Sequence, residues 1–200
     1  TGATAKYLGL DDETKYAGSG VSACATCDGF FYRGKDVAVV GGGDTAAEEA
    51  TYLSKLCNKV YLLVRKEEMR ASKAMQDRVA NTHNLEVLYN HELIGLEGNN
   101  VVEKAKIINN VTNEEKELIV DGVFIAIGHK PNTELFQGKL DMDETGYLIT
   151  QDRSYKTNVP GVFAAGDVQD SVYRQAITAA GSGCAAALDA ERYVAEFFEA

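Results

Sequence analysis

The stretch KDVAVVGGGDTAAEEATYLSKL, residues 35–56, decides the fold class of this 200-residue chain. Residues 35–40 form a short apolar run typical of a buried strand, and three glycines follow it. From Asp44 the sequence is rich in alanine, with apolar residues near helical spacing, which predicts a helix. The run VYLLVR at 60–65 predicts a second strand, and residues 72–80 predict a second helix. This order is the βαβ unit of a parallel sheet, so the sequence predicts an α/β fold of Rossmann type.

Composition narrows the class of protein. The chain is 45% hydrophobic and carries a formal net charge of -10, which argues against wholesale disorder and against a nucleic-acid partner. No run of about 18 apolar residues is present, so we expect no membrane span. The N-terminus lacks a signal peptide and an initiator Met, a hint that the translation product is longer.

The second half of the chain changes character. The stretches LEVLYNHELIGLEG, VVEKAKIINN and EKELIVDG, between residues 85 and 122, predict a three-stranded antiparallel meander. VFIAIG at 123–128 predicts a further strand of the parallel sheet. Beyond it we expect a polar connector over 133–159, a short strand VFAAG at 162–166 and a long helix over 175–198. One strand and one helix cannot close a hydrophobic core, so we expect this segment to need a partner.

The glycine triplet fits a phosphate-binding turn. Gly41, Gly43 and Ala46 are in G-x-G-x-x-A register between a predicted strand and a predicted helix. Gly43 would let a pyrophosphate approach the backbone at the helix N-terminus, where N–H groups and the helix dipole favour anions. A plain strand-to-helix turn is the alternative, and the position in a βαβ unit favours a dinucleotide site.

The end of the second predicted strand indicates which dinucleotide. An NAD site places a carboxylate there, whereas this chain has Arg65, Lys66 and Arg70. Guanidinium groups bind a 2′-phosphate with charge-assisted hydrogen bonds, which favours NADP(H) over NAD(H). The alternative is a solvated charged patch, since Glu67 and Glu68 interrupt the run.

Two cysteines at a spacing of three residues form a C-x-x-C. Cys24 and Cys27 are followed by Asp28, a carboxylate that could exchange a proton with a leaving sulfur. Redox activity is favoured over zinc binding and over two ordinary thiols. Zinc needs four ligands, and no paired histidines or second C-x-x-C accompany the pair, so we expect no metal. The remaining cysteines, Cys57 and Cys184, are expected to be small buried residues.

Together these motifs resemble the bacterial-type, low-molecular-weight thioredoxin reductase family. The resemblance rests on SACATCDGFFYRGKDVAVVGGGDTAAEEATYLS at 22–54, the R-K-x-x-x-R run, FIAIGHKPNT at 124–133 and VPGVFAAGDVQDSVYRQAITAAGSGCAAALDAERYV at 159–194. Members of this family are FAD-containing homodimers that pass electrons from NADPH through the flavin to the C-x-x-C disulfide and on to thioredoxin. A cytoplasmic enzyme is the expectation.

The resemblance also implies roles for individual residues. It makes Cys24 and Cys27 the redox pair and Asp28 the acid/base, with Cys27 facing the flavin and Cys24 attacking the protein substrate. It assigns NADPH binding to Gly41, Gly43, Asp44, Thr45, Arg65, Lys66 and Arg70. It assigns the flavin to Asp167 and to Arg174, Gln175 and Ala176, with Gly128, Gly166 and Val168 as further cofactor-binding residues. Val64 and Lys66 stand where the family carries His and Arg, which would soften the preference for NADPH.

The same resemblance predicts the domain organisation. Residues 1–4 would end the first lobe of a split FAD-binding domain, 5–132 would form the NADPH-binding and disulfide domain, and 133–200 would form the C-terminal part of the FAD domain. Only one glycine motif is present, so the N-terminal FAD lobe is expected to be missing from this chain. Two alternatives remain: the flavoprotein disulfide reductase of a peroxide-reducing system, and a truncated NADPH-binding module inactive without that lobe.

Overall fold

The computed structural model describes residues 1–151 and 154–198, and of Phe198 only the backbone. The chain divides into two compact units. The larger unit comprises Lys6–Gly128, and the smaller unit combines Thr1–Ala5 with His129–Ala200. Each unit has its own sheet and its own apolar contacts.

The elements alternate between strands and helices before they turn to strands alone. In chain order the strands are β1 (Ala3–Ala5), β2 (Val21–Ser22), β3 (Asp36–Val40), β4 (Lys59–Val64), β5 (Leu85–Tyr89), β6 (His91–Glu97), β7 (Lys104–Asn109), β8 (Glu115–Ile119), β9 (Gly122–Ile125) and β10 (His129–Pro131). The α-helices are α1 (Asp11–Lys15), α2 (Ala25–Asp28), α3 (Asp44–Leu53), α4 (Lys73–Ala80) and α5 (Ala176–Phe198). Short 3-10 helices span Gly29–Tyr32, Glu134–Phe136 and Gly166–Val168.

A five-stranded parallel sheet organises the larger unit, in the order β2-β9-β3-β4-β5. The predicted βαβ unit is therefore confirmed. The further parallel strand predicted at 123–128 is present as β9, Gly122–Ile125, between β2 and β3. Side chains of β3 alternate between two cores: Val37 and Val39 pack with α3 and α4, whereas Ala38 and Val40 pack with β6 and β7. Both faces of the sheet are covered, which explains why its central strands are continuously apolar.

The predicted three-stranded antiparallel meander is confirmed, but it starts later in the chain than predicted. The stretch at 85–98 forms two strands rather than one: β5 joins the edge of the parallel sheet, and β6 starts the antiparallel sheet β6-β7-β8. Asn90 separates them with a φ of 57°, a left-handed conformation that asparagine tolerates better than most residues. Because β5 is an edge strand with half-exposed side chains, its sequence alternates like that of a two-layer antiparallel strand.

The smaller unit contains a two-stranded ribbon, β1 antiparallel to β10, and the helix α5. The long C-terminal helix is confirmed and starts one residue after the predicted position. The predicted strand at 162–166 is wrong, because the structure forms only an isolated bridge between Lys156 and Phe163 there. The buried cluster of this unit consists of Leu148, Ala164 and Val168, with three partly buried apolar neighbours.

Across residues 1–151 and 154–198, no helix is both long enough and apolar enough to span a bilayer.

Candidate active site

The C-x-x-C motif forms a disulfide between Cys24 and Cys27, with Cα atoms 5.3 Å apart. It lies at the start of α2, directly after β2, and the Cys27 N–H donates to Cys24 Sγ at 3.1 Å. Cys24 is half-buried and Cys27 is exposed. The pairing leaves no free thiol at either position, and within the described residues no cluster of His, Cys, Asp and Glu could hold a metal ion.

A buried serine links the acid of the motif to its first cysteine. The Ser22 hydroxyl donates to Asp28 Oδ2 at 2.7 Å and accepts the Cys24 N–H at 3.1 Å. Ser22 is only 6% exposed, so these are bonds that water does not readily replace. The sequence prediction assigned a role to Asp28 and none to Ser22. A polar residue at the end of a buried strand was the available signal.

Three aromatic residues, Phe30, Phe31 and Tyr32, follow this motif in the chain. Tyr32 packs edge-on against Phe124, with ring centroids 5.2 Å apart. Burial raises the pKa of Tyr32, and the negative charges of Asp28 and Asp121 raise that pKa further. Phe30 and Phe31 are 65% and 72% exposed, which leaves an apolar surface on the 3-10 helix that follows α2.

The glycine turn, residues 41–43, has no room for a side chain at Gly41, whereas Gly43 faces open space. A Cβ on Gly41 would lie 2.4 Å from the Ala126 carbonyl oxygen and 2.7 Å from the Ala46 Cβ. Gly41 therefore lets α3 approach β9 closely. A Cβ on Gly43 would meet none of the described atoms within 4 Å, so this is the place where a ligand can reach the backbone.

A cavity of about 430 Å³ opens over this turn in the larger unit. The predicted cofactor-binding residues that line it are Gly41, Gly43, Thr45, Arg65, Lys66, Arg70 and Gly128. The lining also includes residues that the sequence did not indicate, among them Leu8, His91 and Glu92. His91 and Glu92 follow the carboxyl end of β5, and ligands of parallel sheets bind at that edge, so the correct assignment of β5 would have found them.

Asp44 is placed differently from the rest of the predicted group. It does not line the cavity, and its Oδ1 accepts hydrogen bonds from the Ser72 N–H and the Ser72 hydroxyl, both at 2.8 Å. These bonds, the backbone one first, lower the pKa of the Asp44 carboxyl.

The residues predicted to bind flavin belong to the smaller unit. Gly166, with a φ of 72°, begins the 3-10 helix that contains Asp167 and Val168, and the Gly166 N–H donates to Ser182 Oγ on α5 at 3.0 Å. Arg174 and Gln175 directly precede α5, which begins at Ala176. The structure therefore brings these residues together around the start of α5 and the turn that α5 supports.

The two cysteines outside the motif have opposite environments. Cys57 is buried, and its thiol contacts the Tyr32 carbonyl oxygen at 3.3 Å. Cys184 is exposed on α5, so the expectation that both are buried is wrong for Cys184. The alanines and glycines around Cys184 form an apolar stretch of sequence, which is why burial was expected. Among the described residues, the smaller unit does not cover the face of α5 on which Cys184 lies.

Known proteins with the same motifs identify the family. The family model described as pyridine nucleotide-disulphide oxidoreductase matches residues 1–183. The chain belongs to the pyridine nucleotide-disulphide oxidoreductase family. The larger unit of this chain contains the five-stranded parallel sheet and the Cys24–Cys27 disulfide.

Within this family the chain is similar to thioredoxin reductases, as the sequence resemblance predicted. It is 56% identical over 196 residues to the thioredoxin reductase of Dictyostelium discoideum, covering 97% of this chain and 61% of that protein. It is 54% identical to a mitochondrial thioredoxin reductase of Kluyveromyces lactis, over 98% of this chain and 57% of that protein. The solved thioredoxin reductase of Giardia duodenalis matches 98% of this chain and 64% of its own length, with 45% identity and a TM-score of 0.91. The chain thus spans about six-tenths of the length of these relatives.

Proposed function

We propose that this chain is the nucleotide-binding and disulfide-bearing part of an NADPH-dependent thioredoxin-disulfide reductase. The observation that carries the proposal is that one unit holds both the Cys24–Cys27 disulfide and a cavity lined by a glycine turn and three cationic side chains. The similarity to thioredoxin reductases supports the same reading.

The cavity fits NADPH by its chemistry. The open position at Gly43 and the start of α3 suit a pyrophosphate, because N–H groups there have no partner within the helix. Arg65, Lys66 and Arg70, which also line this cavity, suit a 2′-phosphate. We therefore assign the dinucleotide to this cavity and its 2′-phosphate to the three cations.

The smaller unit offers a donor set that fits part of FAD. The Asp167 carboxylate is half-buried, and carboxylate oxygens accept hydrogen bonds from ribityl or ribose hydroxyls. Gly166, Val168, Arg174, Gln175 and Ala176 complete the group proposed to hold the flavin. When bound, FAD supplies the chemistry that accepts hydride from NADPH and delivers two electrons to a disulfide.

The disulfide then carries the electrons to a protein substrate. Reduction of Cys24–Cys27 consumes two electrons and two protons, and Asp28, which follows Cys27 directly, is the group proposed to give a proton to one sulfur and take it back. The Cys24 thiolate attacks the substrate disulfide, one substrate sulfur leaves, and Cys27 displaces the substrate from Cys24. The cycle re-forms Cys24–Cys27 and releases the substrate as a dithiol.

The proposed partner is thioredoxin. The exposed side chains of Phe30 and Phe31, three and four residues after Cys27, suit docking of a protein surface, since exposed aromatic patches are typical of such contacts. A homodimer in the cytoplasm is proposed from the family resemblance, and one of the similar proteins is mitochondrial.

The test uses the full-length protein that contains this chain. We expect NADPH-dependent reduction of thioredoxin, and we expect Cys27→Ser to abolish it while NADPH still bleaches the flavin absorbance. Loss of both activities would contradict the assigned order of electron transfer. A peroxiredoxin accepted in place of thioredoxin would instead favour a peroxide-reducing system.

The isolated 200-residue chain provides a second, simpler test. A flavin absorption band in the purified chain would show that it holds FAD without further segments. A colourless chain that binds NADP⁺ in preference to NAD⁺ would favour the nucleotide-binding module alone.

A further inference from the structure

The loop between β4 and α4 carries the cations proposed to read the 2′-phosphate. Arg65, Lys66 and Arg70 are all exposed, with long side chains that lose rotamer freedom when they bind a ligand. Their preference for a 2′-phosphate therefore depends on how well the backbone beneath them is fixed.

Backbone hydrogen bonds join this loop to the glycine turn. The Gly42 carbonyl oxygen accepts the N–H of Arg70 at 2.6 Å and the N–H of Ala71 at 3.1 Å. Ala71 is buried among the core residues next to α3, so the end of the loop is held against the turn.

The next residue adds a side-chain link. Ser72 donates its N–H and its hydroxyl to Asp44 Oδ1, both at 2.8 Å. Asp44 is the first residue of α3, whose N-terminus favours a negative charge. Three consecutive loop residues are thus tied to the turn and helix that are proposed to bind the pyrophosphate.

We propose that Asp44 and Ser72 are positioning residues that set the preference for a 2′-phosphate by fixing Arg70 relative to the glycine turn. The inference rests on the proposed binding of NADPH in this cavity. Asp44 acts through Ser72 and the loop, which agrees with its place outside the cavity lining.

Two other roles for Asp44 give different results. If Asp44 contacted the nucleotide directly, its loss would weaken NADP⁺ and NAD⁺ alike. If Asp44 acted only through its negative charge, its removal would reduce repulsion of the phosphate groups and strengthen binding of both nucleotides. The gain would be larger for NADP⁺, because it carries an additional 2′-phosphate. The positioning role predicts a loss confined to NADP⁺.

The test measures Kd for NADP⁺ and NAD⁺ by titration calorimetry on the 200-residue chain. We expect Asp44→Ala to raise the Kd for NADP⁺ about tenfold and Ser72→Ala about threefold, because they remove two and one hydrogen bonds to a carboxylate. The Kd for NAD⁺ should change by less than about twofold. The double variant should match Asp44→Ala alone, since Ser72 acts through Asp44.

Matched variants separate positioning from general effects. Ser72→Thr keeps the hydroxyl and should restore the preference. Asp77→Ala removes an exposed carboxylate that pairs with Lys73 on α4, and it should leave both Kd values unchanged. Circular dichroism checks that each variant is folded, and Ser72→Ala is the mildest change should Asp44→Ala unfold the chain.

The outcomes distinguish this inference from the proposed function. An unaltered chain without preference for NADP⁺ would overturn both. If the unaltered chain prefers NADP⁺ and the variants keep that preference, only the positioning role is overturned. The same holds if the variants lose affinity for NADP⁺ and NAD⁺ equally.

Discussion

Ser22 connects Cys24 of the C-x-x-C motif and the flanking acid Asp28 through one buried hydroxyl group. Its hydroxyl bonds both to the Asp28 carboxylate and to the Cys24 N–H in a buried position. We expect Ser22→Ala to lower the free energy of unfolding by about 1–3 kcal/mol, because the partly buried Cys24 N–H loses its acceptor and the Asp28 carboxylate loses its donor. Urea unfolding measures this change.

The same variant should also slow proton transfer at the disulfide. Asp28 without its hydrogen bond samples more orientations, so dithiol formation by the full-length enzyme should slow relative to its nucleotide binding. Ser54→Ala is the matched control, since the Ser54 hydroxyl donates to the Thr51 carbonyl oxygen at the C-terminal end of α3. Equal effects of the two variants on turnover would contradict a positioning role for Ser22.

Cys57 and Cys184 should differ in reactivity. Burial, and to a smaller extent the charges of Asp36 and Asp121, raise the pKa of the Cys57 thiol to about 11. Since only the thiolate is alkylated, we expect iodoacetamide at pH 8 to modify exposed Cys184 at least about tenfold faster. Mass spectrometry of the oxidised chain follows both sites, and equal rates would contradict the burial of Cys57.

The raised pKa of Cys57 also predicts how the free energy of unfolding changes with pH. The folded chain keeps the thiol protonated at a pH where the unfolded chain ionises, starting from an ordinary pKa of 9.0. The contribution to stability is therefore fully present below pH 9 and is lost as the pH rises toward about 11. Unfolding of Cys57→Ala should be less sensitive to pH in this window.

At the scale of elements, the turn at Asn90 decides which sheet each strand joins. Asn90 has a φ of 57°, its N–H donates to the Lys66 carbonyl at 3.1 Å, and its carbonyl accepts the Asn110 N–H at 2.9 Å. We expect Asn90→Val to destabilise the chain by about 1–2 kcal/mol, because a β-branched residue is strained in the left-handed region. Asn90→Gly should be nearly neutral.

A control for this prediction lies in a nearby loop. Asn100 is exposed and does not have a left-handed backbone, so Asn100→Val should change the unfolding free energy little. A similar loss in both variants, measured by urea unfolding, would show that conformation at Asn90 is not the cause.

At the scale of the whole molecule, the two units should differ in local stability. Strand β3 lies between two apolar clusters and is buried along most of its length. Helix α5 exposes large apolar side chains, including Ile177 at 80% and Phe197 at 60%. In the 200-residue chain we expect the amides of α5 to exchange before those of β3, since opening α5 uncovers less apolar surface.

Hydrogen exchange followed by mass spectrometry tests this order. Peptides from β4 serve as the internal control, because they belong to the same sheet as β3 and should share its protection. Protection of α5 equal to that of β3 would contradict the difference between the units.

The candidate site was predictable where its signals are local. The glycine turn, the cations of the β4–α4 loop and the disulfide each follow from a few adjacent residues, and the structure places the turn and the cations around one cavity. The links between them were not predictable. Asp44 and Ser72 are 28 residues apart, and a hydrogen bond over that distance leaves no pattern in the sequence.

The amino-acid sequence by itself determined the βαβ unit and the chemistry of its side chains. The signals for both, which are hydrophobic periodicity, the glycine triplet and clustered charges, each lie within a few adjacent residues. Tertiary structure alone decided that β5 belongs to the parallel sheet, and that the apolar run at 162–166 forms no strand. Strand pairing depends on which backbone is available as a neighbour. That is a property of the folded chain rather than of the segment.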